Sequence, residues 1–301
     1  MKKTTLVLFV TIFAATAISS GCFSKRLQAA KANQAAKAEN KGNDDADFNA
    51  REEITQTFTL APDSEVEVVG INGSVDITTS ESNKAEIYIL RLARSKDTFE
   101  RRKAHLSFEN NQLKIRGNAR ESSGLWDSIT GDNELRTRIT LKLPRKLQEL
   151  SVGGCNGRVN IGEIEGGLEV HNIGGKVTVA KANGAVEFAG INGKIEATLA
   201  KLDKEGVSIH GVNGNIDLKF TEEVNAEVEM NGSNGRVNAD LPNVKVEDQK
   251  HGRYHAIIGT GGPSIEVNGT NGNLWLAREG ATASGTKTPT VTGKVLKTLS
   301  E

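Results

Sequence analysis

Residues 156–200 read NGRVNIGEI EGGLEVHNI GGKVTVAKA NGAVEFAGI NGKIEATLA, a run in which glycine returns every nine residues, at positions 157, 166, 175, 184 and 193. A unit of this length has room for one short strand and one turn. It cannot bury an apolar face alone and must stack on its neighbours. The same phrase returns at Gly214 and Gly235, and similar phrases surround Gly73 and Gly272. The spacing predicts an all-β fold, a β-solenoid with two strand units in each coil of about 18 to 21 residues.

Apolar and polar side chains alternate after each glycine. The second residue after glycine is aliphatic, as in Val177, Ile195 and Ile216, and the next residue is mostly polar, as in Glu196 and Asp217. This alternation is typical of a strand with one buried face. We therefore expect the aliphatic residues to stack inside the solenoid. A flat β-sandwich, with Asn-Gly as its hairpin turns, is the alternative.

Asparagine directly precedes many of the repeat glycines. These positions are Asn72, Asn156, Asn183, Asn192, Asn213, Asn234 and Asn271. Asparagine and glycine both tolerate left-handed backbone angles, which suits a corner between strands. Stacked asparagine amides can also hydrogen-bond along a column. We expect these residues to form the corners of the coils.

The repeat phrases also resemble a known family. Gly70-Ile71-Asn72-Gly73, Gly190-Ile191-Asn192-Gly193 and the late stretch GTGGPSIEVNGTNGNLWL at 259–276 are similar to the family of bacterial putative adhesins with GIN-type repeats. The resemblance covers residues 51–278. It implies a single-domain, right-handed parallel β-helix on the cell envelope, with a role in binding and little chemistry.

The first 21 residues have the layout of a bacterial signal peptide. Two lysines precede the apolar run at 6–13, and small residues then lead to Cys22. The stretch Ile18-Ser19-Ser20-Gly21-Cys22 resembles a lipobox, which implies cleavage before Cys22 and attachment of a diacylglycerol to its sulfur. Cleavage after Ala17, which would release a secreted chain, is the alternative.

Residues 22–50 have few large apolar side chains, so we expect this segment to carry the lipid anchor and to form a flexible tether. A loose surface helix is the alternative interpretation. Residues 279–301 are predicted to form a flexible or capping tail. The expected location is the cell envelope, on the outer membrane or the periplasmic face, with the membrane as a partner through the lipid anchor.

Four cations directly follow repeat glycines, and we name them the cation row: Arg158, Lys176, Lys194 and Arg236. Coils stacked in register would place them on one face at spacings of roughly 5 Å, where their repulsion favours an anionic partner. An anionic envelope polysaccharide or an envelope protein would meet this requirement. Neighbouring Glu196 and Asp217 would instead neutralise the row if they pair with it. The chain has 38 basic and 38 acidic side chains, so no net charge attracts it to nucleic acid.

The remaining reactive side chains predict no enzyme, metal site or cofactor. Cys155 is expected to be a small buried hydrophobe. His171 and His210 should lie two coils apart, too far to share a metal. Glu169 and Glu187 should lie one coil apart, as a solvated ladder or as the paired carboxylates of a lyase or hydrolase. We therefore predict a non-catalytic envelope lipoprotein with an adhesin-like binding or scaffold domain, and a carbohydrate-active β-helix enzyme is the alternative.

Overall fold

The computed structural model describes residues 48–119, 134–250 and 252–280. Within these ranges the chain forms eighteen strands and one short helix, and none of the described helical structure is long and apolar enough to cross a membrane. The predicted signal peptide, Cys22, residues 22–47 of the predicted tether and residues 281–301 of the predicted tail lie outside the described residues.

The strands follow one another closely along the chain. They are β1 (Ala50–Thr59), β2 (Glu65–Ile71), β3 (Gly73–Ser80), β4 (Lys84–Ala93), β5 (Lys103–Glu109), β6 (Gln112–Ala119), β7 (Leu135–Pro144), β8 (Lys146–Cys155), β9 (Val159–Ile173), β10 (Val177–Ile191), β11 (Ile195–His210), β12 (Ile216–Phe220), β13 (Ala226–Asn231), β14 (Val237–Asp240), β15 (Val244–Lys250), β16 (Arg253–Ile258), β17 (Ser264–Asn268) and β18 (Leu274–Arg278). The helix α1 (Asp97–Arg101) connects β4 to β5.

Each repeat coil contributes one strand segment to each of two columns, which belong to one continuous sheet. In the first column, face A, Val177 pairs in parallel with residues of both neighbouring coils. In the second column, face B, Val186 does the same. The long strands β9, β10 and β11 run through both faces and turn a corner between them. Because hairpin turns would give antiparallel pairs, this parallel register rules out the flat sandwich for the repeat region.

The core lies between the two faces. Val177, Ile195 and Ile216 are in-register neighbours on face A, as the nine-residue alternation predicts, and each is fully buried. Phe188 and Ile209 from face B belong to the same apolar cluster. The prediction that the aliphatic residues stack inside the coils is confirmed.

The coils do not stack in chain order at either end of the column. At the first end, β3 lies between β7 and β9, although β7 comes after β3 in the chain. At the other end, β18 lies between β12 and β14. Antiparallel strands then close the ends, with β1, β4 and β5 at the first end and β15 and β16 at the second. The assumption of coils in sequential order is wrong at both ends.

The asparagines occupy two different corners. At one corner, the side-chain amide of Asn213 donates to Asn192 over 3.0 Å, Asn271 donates to Asn213 over 3.2 Å, and Asn234 donates to Asn271 over 3.5 Å. This confirms an amide ladder across four coils. Asn183 lies in the opposite corner, where its register partners are residues of β9 and β11, because the nine-residue period covers half a coil.

The repeat glycines are required by close contact between coils. A Cβ atom on Gly193 would lie 2.3 Å from the carbonyl oxygen of Gly175, and one on Gly175 would lie 2.4 Å from the carbonyl oxygen of Gly157. Of the described glycines with left-handed φ angles, none is Gly157, Gly175 or Gly193. The constraint at these positions is therefore the space between coils, and not the left-handed angle expected from the sequence.

Replacing Gly193 with alanine should destabilise the fold by about 2 kcal/mol or more, because the new methyl group overlaps a backbone carbonyl that cannot move aside. Gly167→Ala is the matched control, since its Cβ would lie 3.4 Å from the nearest atoms, an ordinary contact. We expect the control to change the free energy of unfolding by about 0.5 kcal/mol or less. Urea denaturation of both variants measures the difference, and equal losses would contradict the proposed contact.

Candidate functional site

The structure brings three members of the cation row together on adjacent strands of face A: Arg158, Lys176 and Lys194. A series of backbone hydrogen bonds of 2.9 to 3.0 Å connects the strands at these positions. The same series continues through Asn215 and Asn273 before it reaches Arg236. Asn273 comes from the inserted strand β18, so Arg236 is one strand further from Lys194 than sequential stacking predicts.

The two lysines of the cation row are held by carboxylates of the neighbouring polar column. Lys176 Nζ lies 2.6 Å from one carboxylate oxygen of Glu196, and Lys194 Nζ lies 2.8 Å from the other. Lys194 also lies 2.6 Å from the carboxylate of Asp217. Glu196 lies two residues after Lys194, and Asp217 is its register partner on the next strand. The parallel register therefore places both carboxylates within reach of these lysines.

These ion pairs change the titration of the groups involved. Hydrogen bonds from Lys176 and then from Lys194 hold the pKa of Glu196 below its usual value, although partial burial opposes this effect. Hydrogen bonds to Asp217 and then to Glu196 raise the pKa of Lys194. Both shifts favour the charged forms of Glu196 and Lys194, so this pair remains ionised over the neutral pH range.

The two arginines of the cation row differ from the lysines. Both side chains are exposed, and no carboxylate in the described part of the chain forms an ion pair with Arg158 or Arg236. They are separated by five strand steps, about 24 Å at roughly 4.8 Å for each step. The row therefore presents two available cations at separate places.

Face B carries carboxylates on adjacent strands. Glu169 and Glu187 are direct register partners, which confirms their predicted spacing of one coil. Burial and then the charges of Glu169 and Glu65 raise the pKa of nearby Glu149. The arrangement is an acidic ladder on the outer surface, and it supplies the neighbouring carboxylates that a carbohydrate-active enzyme would require.

The histidine and cysteine positions follow the sequence predictions. Ala189 lies between His171 and His210 in the register, so the two histidines are two strands apart. Cys155 is buried, its sulfur lies 3.2 Å from the carbonyl oxygen of Gly73, and burial raises its pKa to about 12. A thiol with this pKa is almost entirely protonated at neutral pH, which is typical of a structural cysteine.

A cavity of about 470 Å³ lies at the C-terminal end of the stack, and we name it the end cavity. Its lining includes Arg236 of the cation row together with Lys250 and Arg253. Sequence reasoning missed it because the lining residues of β13, β15 and β16 lie outside the glycine repeat. The one available signal in the sequence was the pair of cations Lys250 and Arg253, which flank a glycine at 252.

Replacing Glu196 with glutamine should lower the free energy of unfolding by about 0.5 to 1 kcal/mol at about pH 7, since the ion pairs are partly exposed. A carboxyl group with a lowered folded-state pKa stabilises the fold above its unfolded pKa, and this contribution is lost as the pH falls through the folded-state pKa. The difference between Glu196→Gln and the unmodified protein should therefore be present at neutral pH and shrink in strong acid, as the pH falls through the lowered folded-state pKa of Glu196.

The matched control for this experiment is Glu187→Gln. Glu187 is exposed and stands directly opposite Glu169, so its neutralisation removes a repulsion and should leave the stability unchanged or slightly increased. Urea denaturation at neutral pH and in strong acid measures all three proteins. A constant difference between Glu196→Gln and the unmodified protein at both pH values would contradict the role of the ion pairs.

Comparison with known proteins gives matches among solved structures. No protein-family model matches the chain, and no curated protein does. A putative cell adhesion protein from Clostridium sporogenes is 14% identical, with 76% of this chain and 100% of that chain covered and a TM-score of 0.39. A putative adhesin from Bacteroides fragilis is 13% identical over 75% of this chain and 97% of its own, with a TM-score of 0.29. A putative adhesin from Parabacteroides merdae is 13% identical over 77% and 97%, with a TM-score of 0.27.

Proposed function

We propose that this protein is a non-catalytic lipoprotein of the cell envelope, with a right-handed parallel β-helix that acts by adhesin-like binding or as a scaffold. The observation that carries the proposal is the in-register repetition of outward polar side chains on adjacent strands. Glu169 stands beside Glu187 on face B, and Lys176, Lys194 and Glu196 form a joined cluster on face A. A periodic surface of this kind suits a partner that is contacted at many points.

The rigidity of the stack supports a binding role. The inward residues of both faces share one apolar cluster, and backbone hydrogen bonds tie each coil to the next. Side chains held on such a scaffold lose little freedom when they meet a partner. Several individually weak contacts can then add to a useful affinity.

The exposed arginines of the cation row favour an anionic partner, such as an envelope polysaccharide or an acidic envelope protein. Arg158 and Arg236 are free to contribute, whereas Lys176 and Lys194 are already neutralised by carboxylates. Attraction by exposed cations is screened over about 8 Å at physiological salt. Binding should therefore be weak for each contact and sensitive to salt.

Lipid anchoring through Cys22 is tested by mass spectrometry of the protein isolated from a bacterial envelope. The mature chain should begin at Cys22 and carry a diacylglycerol, because a charged start, an apolar run and a small-residue segment precede this cysteine. Cys22→Ser should abolish the lipid and release the protein from the membrane fraction. A mature chain that begins at Ile18 would contradict the anchor and favour a secreted protein.

Binding without catalysis is tested with alginate, a polymer of sugar acids, and the full mature chain. The protein should be retained on alginate at low salt and released at moderate salt, because the exposed arginines provide the attraction. A variant with Arg158→Gln and Arg236→Gln should be retained at least threefold less than the unmodified protein. New reducing ends or unsaturated products would contradict the proposal and favour the carbohydrate-active alternative.

The matched control removes the same charge from the opposite corner of the coils. Lys181 and Lys201 lie at that corner, on β10 and β11, and both are replaced by glutamine. This control should keep its retention on alginate. An equal loss in the two double variants would show that only net charge matters, and that the cation row forms no binding surface.

A further inference from the structure

We propose that the end cavity binds a single sugar unit that carries one carboxylate or phosphate group. This inference rests on the proposed binding function and gives it a defined site and ligand class. The cavity arises because the two faces end at different heights. Face A ends at β14, whereas the antiparallel strands β16 and β15 extend face B beyond β13. The connection between β13 and β14 and the tip of the β15–β16 hairpin line the resulting space.

Three cations line this space, and no carboxylate is among the described residues that line it. Lys250 and Arg253 stand directly opposite each other in the hairpin, an arrangement in which like charges destabilise a sheet. Lys250 has one ion pair, with Asp248 at 3.2 Å. Within the described ranges, Arg253 and Arg236 have no carboxylate partner. The repulsion between Lys250 and Arg253 is therefore only partly compensated by the protein.

The same fold neutralises stacked cations elsewhere. On face A, Lys176 and Lys194 also stand on adjacent strands, and Glu196 bridges them with one oxygen for each lysine. No equivalent carboxylate reaches Arg236 and Arg253 in the described structure. An anionic ligand would supply the missing group, and a guanidinium can hold a carboxylate or phosphate through two parallel hydrogen bonds.

The rest of the lining favours a sugar over a bare ion. Asn234 ends the amide ladder: its nitrogen donates to Asn271 over 3.5 Å, and no described residue donates to its side-chain oxygen. Gln249 adds a second amide to the lining. Such amides can hydrogen-bond to ligand hydroxyl groups, because each provides both donors and an acceptor. Met230 and Tyr254, exposed by only 2% and 7%, form an apolar floor for the C–H side of a sugar ring.

The volume agrees with this ligand class. About 470 Å³ lies within the range of small-molecule pockets, which is roughly 300 to 1,000 Å³. An inorganic anion would leave the amides and the apolar floor unused. A neutral sugar would leave the guanidinium groups unpaired. A sugar with one anionic group satisfies all three parts of the lining.

The proposal is tested by titrating the full mature chain with four probes: glucuronate, glucose 6-phosphate, glucose and inorganic phosphate. Isothermal titration calorimetry and the ligand-induced rise of Tm should both detect glucuronate or glucose 6-phosphate. Glucose and inorganic phosphate should bind at least tenfold more weakly. Arg253→Gln and Arg236→Gln should each raise the Kd at least tenfold. Lys201→Gln is the matched control, since it removes an exposed cation of β11 at the opposite corner of the coils, outside the cavity lining, and its Kd should stay within twofold.

A second readout uses the free protein. If Lys250 and Arg253 repel each other, Arg253→Gln should keep or raise the Tm without ligand, and it should lose the rise that the ligand induces. Four results would overturn the proposal: no binding by either anionic sugar, equal binding of glucose, equal binding of inorganic phosphate, or an equal loss of binding in Lys201→Gln. Retention on alginate without binding of glucuronate or glucose 6-phosphate would refute the cavity site and leave the proposed function standing.

Discussion

The close approach of backbone to backbone at one corner of the coils is the contact on which the rest of the structure depends. The carbonyl oxygen of Gly175 occupies the space that a side chain on Gly193 would need, and the same contact repeats along the column. Glycine at each corner lets the coils reach the spacing of a parallel sheet, about 4.8 Å. The aliphatic core and the amide ladder of Asn192, Asn213, Asn271 and Asn234 both rely on this fixed register.

The same register determines the electrostatics of the surface. Parallel stacking places like residues beside like residues, so any charged position in the repeat creates repulsion along its column. Glu196 relieves the repulsion between Lys176 and Lys194 because it belongs to the next column of the same face. Glu169 and Glu187 are direct register partners, and no ion pair among the described residues involves either carboxylate. The stack thus combines columns whose charges are paired within the protein with columns whose charges are not.

The repeat made much of the fold predictable from sequence. Neighbouring coils share one local pattern, which is why the stacking of Val177, Ile195 and Ile216 and the separation of His171 from His210 follow from counting residues. The order of coils at the ends does not follow from counting residues. The strand β18 has the same alternation of apolar and polar residues as the other coils, so its sequence does not specify which strands it pairs with. Its place between β12 and β14 depends on long-range packing, and the sequence reasoning therefore misplaced Arg236 relative to Lys194. The end cavity was unpredictable for a related reason, since Met230 and Arg253 meet through the antiparallel pairing of β13 with β16, and only the insertion of β18 places Asn273 beside them.

The position of β18 also determines how the chain can fold. In a solenoid whose coils follow chain order, folding can nucleate anywhere and propagate from each coil to the next. Here the backbone N–H of Ile216 donates to Asn273, and that of Leu274 donates to Arg236, so the last coil of the described residues is an internal layer of the stack. Within the described residues, β13 pairs in parallel only with β17, and β14 only with β18. The coil formed by β13 and β14 therefore has no parallel partner until residues 264–278 have been synthesised and have been inserted beside β11 and β12. The C-terminal third of the stack must therefore assemble cooperatively as one late folding unit, and a chain that stops before β17 loses an inner layer of the stack.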